Sequence, residues 1–119
     1  MTILKKILII DDERDFCKLI VMMLEREHYH VYCAFTLKEA AQLLDMEHPE
    51  IVLLDQNLPD GTGLDFLINS HATFDDAHII FITADPSRHL QQKVLDAGVQ
   101  FLAKPFELRE IRDMIRQAA

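Results

Sequence analysis

Cysteine is scarce in this chain. Cys17 and Cys33 are the only two, and no CxxC spacing joins them. A disulfide-stapled scaffold is therefore not indicated, and 119 residues can bury an adequate core without cross-links. Both thiols read as reduced and buried, the usage of a cytosolic protein. Cations are few as well: 12 Lys and Arg face 20 Asp and Glu, for a formal net charge of −8. Phosphate contacts need clustered Lys and Arg, so the chain is a poor candidate for direct nucleic-acid binding. Proteins, cations and small molecules are the better partners. Long hydrophobic runs are lacking too. Lys5-Lys6 precedes only four apolar residues before Asp11-Asp12 intervenes, too short for a signal peptide's apolar segment. Nothing approaches the length of a membrane span, so a cytoplasmic location is expected. No HExxH spacing, internal repeat, low-complexity tract or linker is found.

Half the residues are hydrophobic, which argues against disorder and for one compact domain over 1–119, with no output domain expected within the chain itself, whether it stands alone or is part of a longer regulator. Four apolar runs stand out, and each ends in a polar residue able to handle a phosphoryl group. Ile7–Ile10 runs into Asp11-Asp12, Ile51–Leu54 into Asp55, Ile79–Ile82 into Thr83, and Phe101–Ala103 into Lys104-Pro105. Buried parallel strands read as continuous apolar runs, and an open α/β sheet gathers its ligands beyond the carboxyl ends of its strands. As parallel strands, these runs would bring three carboxylates, a hydroxyl and an ammonium to one edge.

Helical patterns lie between them. Phe16, Leu19, Ile20, Met23 and Leu24 have the spacing of one helix face. Val31–Ala34 reads as a further short strand. Thr36 and Glu39 have the form of a capping box, opening a helix that buries Leu37, Ala40, Ala41 and Leu44. Leu64, Leu67 and Ile68 mark a third helix. Pro86-Ser87 opens a fourth with Leu90, Val94 and Ala97 inward and Gly98 as its stop, and Leu108, Ile111 and Ile115 mark a fifth. Leu58–Gly63 reads as a tight loop in which Gly61 and Gly63 permit positive φ. The stretch Asn69–Ala77 is the least patterned and reads as a surface loop. Five strands alternating with five helices predict a doubly wound α/β domain with right-handed crossovers.

The ordered set Asp11-Asp12, Asp55, Thr83 and Lys104-Pro105 resembles that of the receiver (response-regulator) domain of two-component phosphorelays, including the chemotaxis receivers. The resemblance covers essentially the whole chain. It implies a flavodoxin-like, five-stranded parallel sheet of order 2-1-3-4-5, with helices on both faces. It also implies that the chain takes a phosphoryl group from a histidine kinase or a histidine phosphotransfer protein, without being a turnover enzyme in the usual sense.

The chemistry of the residues agrees. Asp55 is the expected phospho-acceptor, since a carboxylate can form an acyl phosphate and split one transfer into two steps. Asp11 and Asp12 are the expected cation ligands, one direct and one through water, with Asp55 adding an oxygen. Mg²⁺ suits such oxygen donors, and Mn²⁺ could replace it. The resemblance adds the backbone carbonyl of Asn57 as a ligand. Lys104 supplies positive charge to the transferring oxygens, and the resemblance makes Lys104-Pro105 a cis bond. Thr83 offers a mobile hydroxyl, and Phe101 holds the place of the family's switch aromatic. Asn57 and Asp85, each two residues beyond a site residue, are expected to set the lifetime of the acyl phosphate. The family's output face implies a partner or dimer site on the fourth helix, fifth strand and fifth helix.

Other readings compete. A flavin or nucleotide binder would need a Gly- or Ser/Thr-rich loop where this chain has Asp11-Asp12-Glu13. A phosphatase of the haloacid-dehalogenase type would carry Asp-x-Asp after its first strand. A degenerate receiver acting only as an interaction module would not need the intact set. The six histidines read as ordinary solvated or half-buried residues.

Overall fold

The computed structural model describes residues 4–69 and 74–119. His71 and part of the loop expected before the fourth strand lie outside the described residues. Five strands form one parallel sheet: β1 (Lys6–Ile10), β2 (His30–Ala34), β3 (Ile51–Asp55), β4 (His78–Thr83) and β5 (Gln100–Ala103). Their order across the sheet is β2-β1-β3-β4-β5, as expected. The helices are α1 (Arg14–Arg26), α2 (Leu37–Glu47), α3 (Gly63–Asn69), α4 (Arg88–Asp96) and α5 (Leu108–Ala118). A small hairpin pairing Asn57–Leu58 with Gly61–Thr62 precedes α3 and was not foreseen.

Side chains alternate between the faces of a strand, so each strand feeds two cores. Leu8, Ile10, Val52, Leu54, Ile79 and Phe81 pack with residues of α2, α3 and α4. Ile7, Ile9, Ile51, Leu53, Ile80 and Ile82 pack with residues of α1 and α5. Burial on both faces explains why the central strands carry no polar alternation. Each fully buried Ile or Leu adds roughly 1.5–3 kcal/mol of transfer free energy. The sheet that carries the polar strand ends is therefore the best-buried part of the molecule.

The helix ends follow local chemistry. The Thr36 hydroxyl accepts from the Glu39 N–H at 3.1 Å, and the Ser87 hydroxyl accepts from the Leu90 N–H at 3.2 Å. Gly98 ends α4 at φ 79°.

Several helix faces differ from expectation. On α1 the buried stripe is Cys17, Ile20 and Leu24, while Leu19 is 54 % exposed. In α3 Phe66 is the buried anchor, and Ile68 faces outward. Ala97 is an exposed helix end rather than a core residue, and Leu108 is largely exposed. Cys17 is buried, but Cys33 is only half-buried. Packing against a particular strand pair set the phase in each case, and apolar spacing alone does not encode it.

Candidate functional site

The strand ends do converge. Asp11 follows β1, Asp55 and Thr83 close β3 and β4, and Lys104 follows β5. Asp11, Asp55 and Thr83 are the polar residues buried among the described residues, at 0, 5 and 1 % exposure. Asp12, next to Asp11, is exposed. One carboxylate oxygen from each of Asp11, Asp12 and Asp55 lies within 4.8 Å of the others.

The two buried carboxylates each have more than one partner. Asp11 Oδ1 accepts from the Glu13 N–H at 2.9 Å, at the entrance to α1, and Asp11 Oδ2 accepts from Lys104 Nζ at 2.9 Å. Asp55 Oδ1 accepts from the Gln56 N–H at 2.8 Å, and Asp55 Oδ2 lies 3.8 Å from Lys104 Nζ. The lysine reaches Glu13 at 3.4 Å as well, and its ammonium lies 4.8 Å from the Phe16 ring centroid. Its own backbone N–H donates to the Thr83 carbonyl at 2.7 Å, joining the ends of β4 and β5. The Lys104-Pro105 bond is cis.

The charges are strongly coupled. Burial, then the neighbouring Asp11 charge, push Asp55 up to about 6, and Lys104 only partly offsets them. Burial raises Asp11 too, against the opposing Glu13 N–H and Lys104 bonds. Burial alone would lower the Lys104 ammonium, but the Asp11 hydrogen bond and the Asp55 charge outweigh it and raise its pKa. Crowded, partly desolvated carboxylates with converging oxygens are a donor set suited to a hard divalent cation, which would relieve their repulsion. The residues fit such an ion.

Thr83 and Phe101 occupy the other side of the sheet. The Thr83 hydroxyl accepts from the Asp85 N–H at 3.0 Å. Phe101 is half-buried and stacks on its register partner Phe81, with ring centroids 6.5 Å apart. Asp85 is exposed and accepts from the Ser87 N–H at 2.9 Å, and Asn57 is exposed in the small hairpin.

Asp60 and Glu13 had no assigned role in the sequence reading, and Gly63 does not adopt the positive φ expected of it but is needed for another reason. A Cβ on Gly63 would sit 2.1 Å from the Asp55 carbonyl oxygen, so only glycine lets α3 start against the Asp55 backbone. Gly61, at φ 152°, has the positive φ expected of the loop. The Asp60 carboxylate accepts from the Leu37 and Lys38 N–H groups at 2.8 and 3.1 Å, clipping the loop after β3 to the start of α2. Glu13 joins the lysine. Only the Pro-Asp-Gly turn chemistry was visible beforehand. The histidines described (His28, His30, His48, His78 and His89) are all exposed.

Beside Lys104 opens an apolar groove of about 550 Å³, lined in part by Phe16, Leu19, Ala84, Pro105, Phe106 and Leu108. Among the described residues, no helix is long and apolar enough to cross a membrane.

Solved structures share this architecture. A CheY-like response regulator receiver domain protein from Methanospirillum hungatei is 29 % identical, with a TM-score of 0.89, over 97 % of this chain and 93 % of that one. A response regulator protein from Burkholderia pseudomallei, solved with a phosphorylated aspartic acid, a calcium ion and citrate, is 30 % identical, with a TM-score of 0.81. That match covers 90 % of this chain and 64 % of the other. The signal receiver domain of a putative LuxO repressor from Vibrio parahaemolyticus is 22 % identical and shares the fold, with a TM-score of 0.85 over 98 % of this chain and 90 % of that one. The profile of the response regulator receiver domain matches residues 7–116, and with that match the chain belongs to the receiver family, whose members accept a phosphoryl group on an aspartate in signalling.

Proposed function

We propose that the chain accepts a phosphoryl group on Asp55 from a phosphohistidine of a histidine kinase or histidine phosphotransfer protein, in an Mg²⁺-dependent reaction. It then loses that group by its own hydrolysis and turns over no other substrate. The observation that carries this reading is the placement of Asp55. It is a buried carboxylate at a strand end, with Asp11, Asp12 and the Lys104 ammonium all gathered around it.

Asp11, Asp12 and Asp55 would hold the cation, with the Asn57 carbonyl as the further ligand. Bound there, Mg²⁺ would supply positive charge to the phosphoryl oxygens, as in other phosphoryl transfers. Asp55, mostly ionised at neutral pH with its pKa near 6, attacks phosphorus through a carboxylate oxygen. The N–P bond to the donor imidazole breaks as the O–P bond forms. Lys104 neutralises a phosphoryl oxygen from the opposite side. The phosphorylated aspartate and calcium ion of the Burkholderia protein support this division of labour. The apolar groove against Lys104 gives a donor protein a surface continuous with the site.

The readout runs through Thr83. Its hydroxyl turns from the Asp85 N–H toward the phosphoryl group, and Phe101 follows into the space vacated beside Phe81. The surface of α4, β5 and α5 then becomes the output face, for a partner or a second copy. Intact mass after incubation with Mg²⁺ and acetyl phosphate tests the reading. One labile phosphoryl adduct is expected on the wild type, and none on Asp55→Ala or in EDTA. No adduct under any condition would leave a degenerate interaction module as the better description.

A further inference from the structure

The phosphoryl chemistry has no use for cysteine, yet α1 and β2 bring both thiols of the chain to one place. Cys17 is buried in α1, and Cys33 on β2 stands in register with Ile9. Both pack in the apolar cluster beneath α1 and α5. Both line a single groove of about 410 Å³, open to solvent, together with Arg14, Lys18 and Phe35. The two thiols are close enough for each to perturb the other.

The two positions differ in the way a reactive pair needs. Cys33 is the reachable thiol, half-buried at the groove wall. Two cationic side chains share that wall, and Arg14 is fixed there with its guanidinium 4.0 Å above the Phe35 ring. A thiol reacts as its thiolate, which neighbouring cations favour. Cys17, 2 % exposed, is closed off from bulk solvent.

We propose that Cys17 and Cys33 form an oxidisable dithiol site, which a hydroperoxide closes into an intramolecular disulfide between α1 and β2. The Cys33 sulfur attacks the peroxide, breaking the O–O bond to give a sulfenic acid and release water. The Cys17 sulfur then attacks the Cys33 sulfur. The S–S bond forms, the S–O bond breaks, and the hydroxide leaves with the Cys17 proton as a second water. Two thiols and one hydrogen peroxide thus give one disulfide and two waters. Cys17 also donates to the Asp11 carbonyl at 3.5 Å, so closing the bond removes a donor from the strand end that carries the acidic cluster.

The test is to expose the reduced full chain to hydrogen peroxide and measure intact mass and non-reduced peptides. A mass deficit of two hydrogens is expected, with Cys17 and Cys33 peptides joined and both thiols restored by dithiothreitol. In Cys17→Ser the reaction should stop at Cys33 as a sulfenic acid that dimedone traps. Three results on the wild type would overturn the proposal: two oxygens gained on Cys33 without a cross-link, a disulfide only between two copies, or no reaction. The wild-type result stands whether or not the variant folds.

Discussion

Lys104 and Asp11 are 93 residues apart in sequence and 2.9 Å apart in the site, closer than the 3.8 Å between Lys104 and Asp55. The ammonium therefore rests on a carboxylate expected to hold the cation, rather than on Asp55, the proposed acceptor. Lysine and cation share one negative partner, and each weakens the other's hold on it.

Lys104→Met should therefore divide two properties that most site mutations lower together. Mg²⁺ affinity should rise several-fold, because the carboxylates lose their internal counter-charge. The rate of labelling by acetyl phosphate should fall by roughly tenfold or more, because a preorganised charge on the transferring group is gone. Magnesium titration and time-resolved intact mass on the same variant would check both. A fall in both would mean that the lysine organises the cation site rather than competing for it.

The raised pKa of Asp55 gives the metal-depleted protein an unusual pH response. Its carboxyl titrates near 3.8 when unfolded and about 6 when folded, so the folded state binds the proton more tightly. The associated stability is fully present below the unfolded value and is lost as pH rises through about 6. At about 1.4 kcal/mol per unit, Asp55→Asn in EDTA should gain on the wild type by roughly 2–3 kcal/mol between pH 4 and 7. Urea melts at several pH values would measure the difference. Magnesium affinity of the wild type should fall as pH drops below about 6, since protons and cation compete for the same oxygens.

Gly63→Ala places a methyl group 2.1 Å from the Asp55 carbonyl oxygen, a backbone atom that cannot swing aside. A loss of about 3 kcal/mol is expected, at the upper end of ordinary overpacking. Thermal or urea unfolding would show it. A neutral result would mean that α3 can slide along the strand end.

Asp60→Ala removes the acceptor of two N–H groups at the start of α2. The cost should be about 1–2 kcal/mol, as for a lost helix cap. Labelling of Asp55 should persist, so equilibrium unfolding paired with acetyl phosphate labelling separates this clip from the chemistry. Loss of labelling at unchanged stability would place Asp60 among the residues that shape the site.

Asp85 is exposed beyond Thr83, and its carboxylate accepts from the Ser87 N–H. Asp85→Ala should change the half-life of the phosphorylated form by about threefold or more, a shift of at least roughly 0.6 kcal/mol in the hydrolysis barrier. Decay of the phosphoryl adduct after donor removal gives the rate. An unchanged half-life would remove Asp85 from the hydrolytic path.

The strand ends were legible because a strand buried on both faces has no polar residue until it emerges. Asp11, Asp55 and Lys104 mark where that happens. Helix phase was less legible. Leu19 has the spacing of a core residue, but the neighbouring Cys17 took the inward place, and a cysteine does not register as part of an apolar stripe. The seven residues of α3 are too few for spacing to distinguish Phe66 from Ile68. Asp60 grips the start of α2 from more than twenty positions away, and local sequence carries no mark of such a contact.

The two faces of the sheet have a consequence for how this domain can vary. By alternation along their strands, Asp11, Asp55 and Lys104 fall toward α1 and α5, while Thr83 and Phe101 fall toward α4. On the proposed function, the sheet is a wall between chemistry and readout, joined at its carboxyl rim. Strand length is thus part of the message. One residue inserted in β4 would keep every side chain yet present Ile82 where Thr83 now stands, leaving an acceptor whose state cannot cross to the other side.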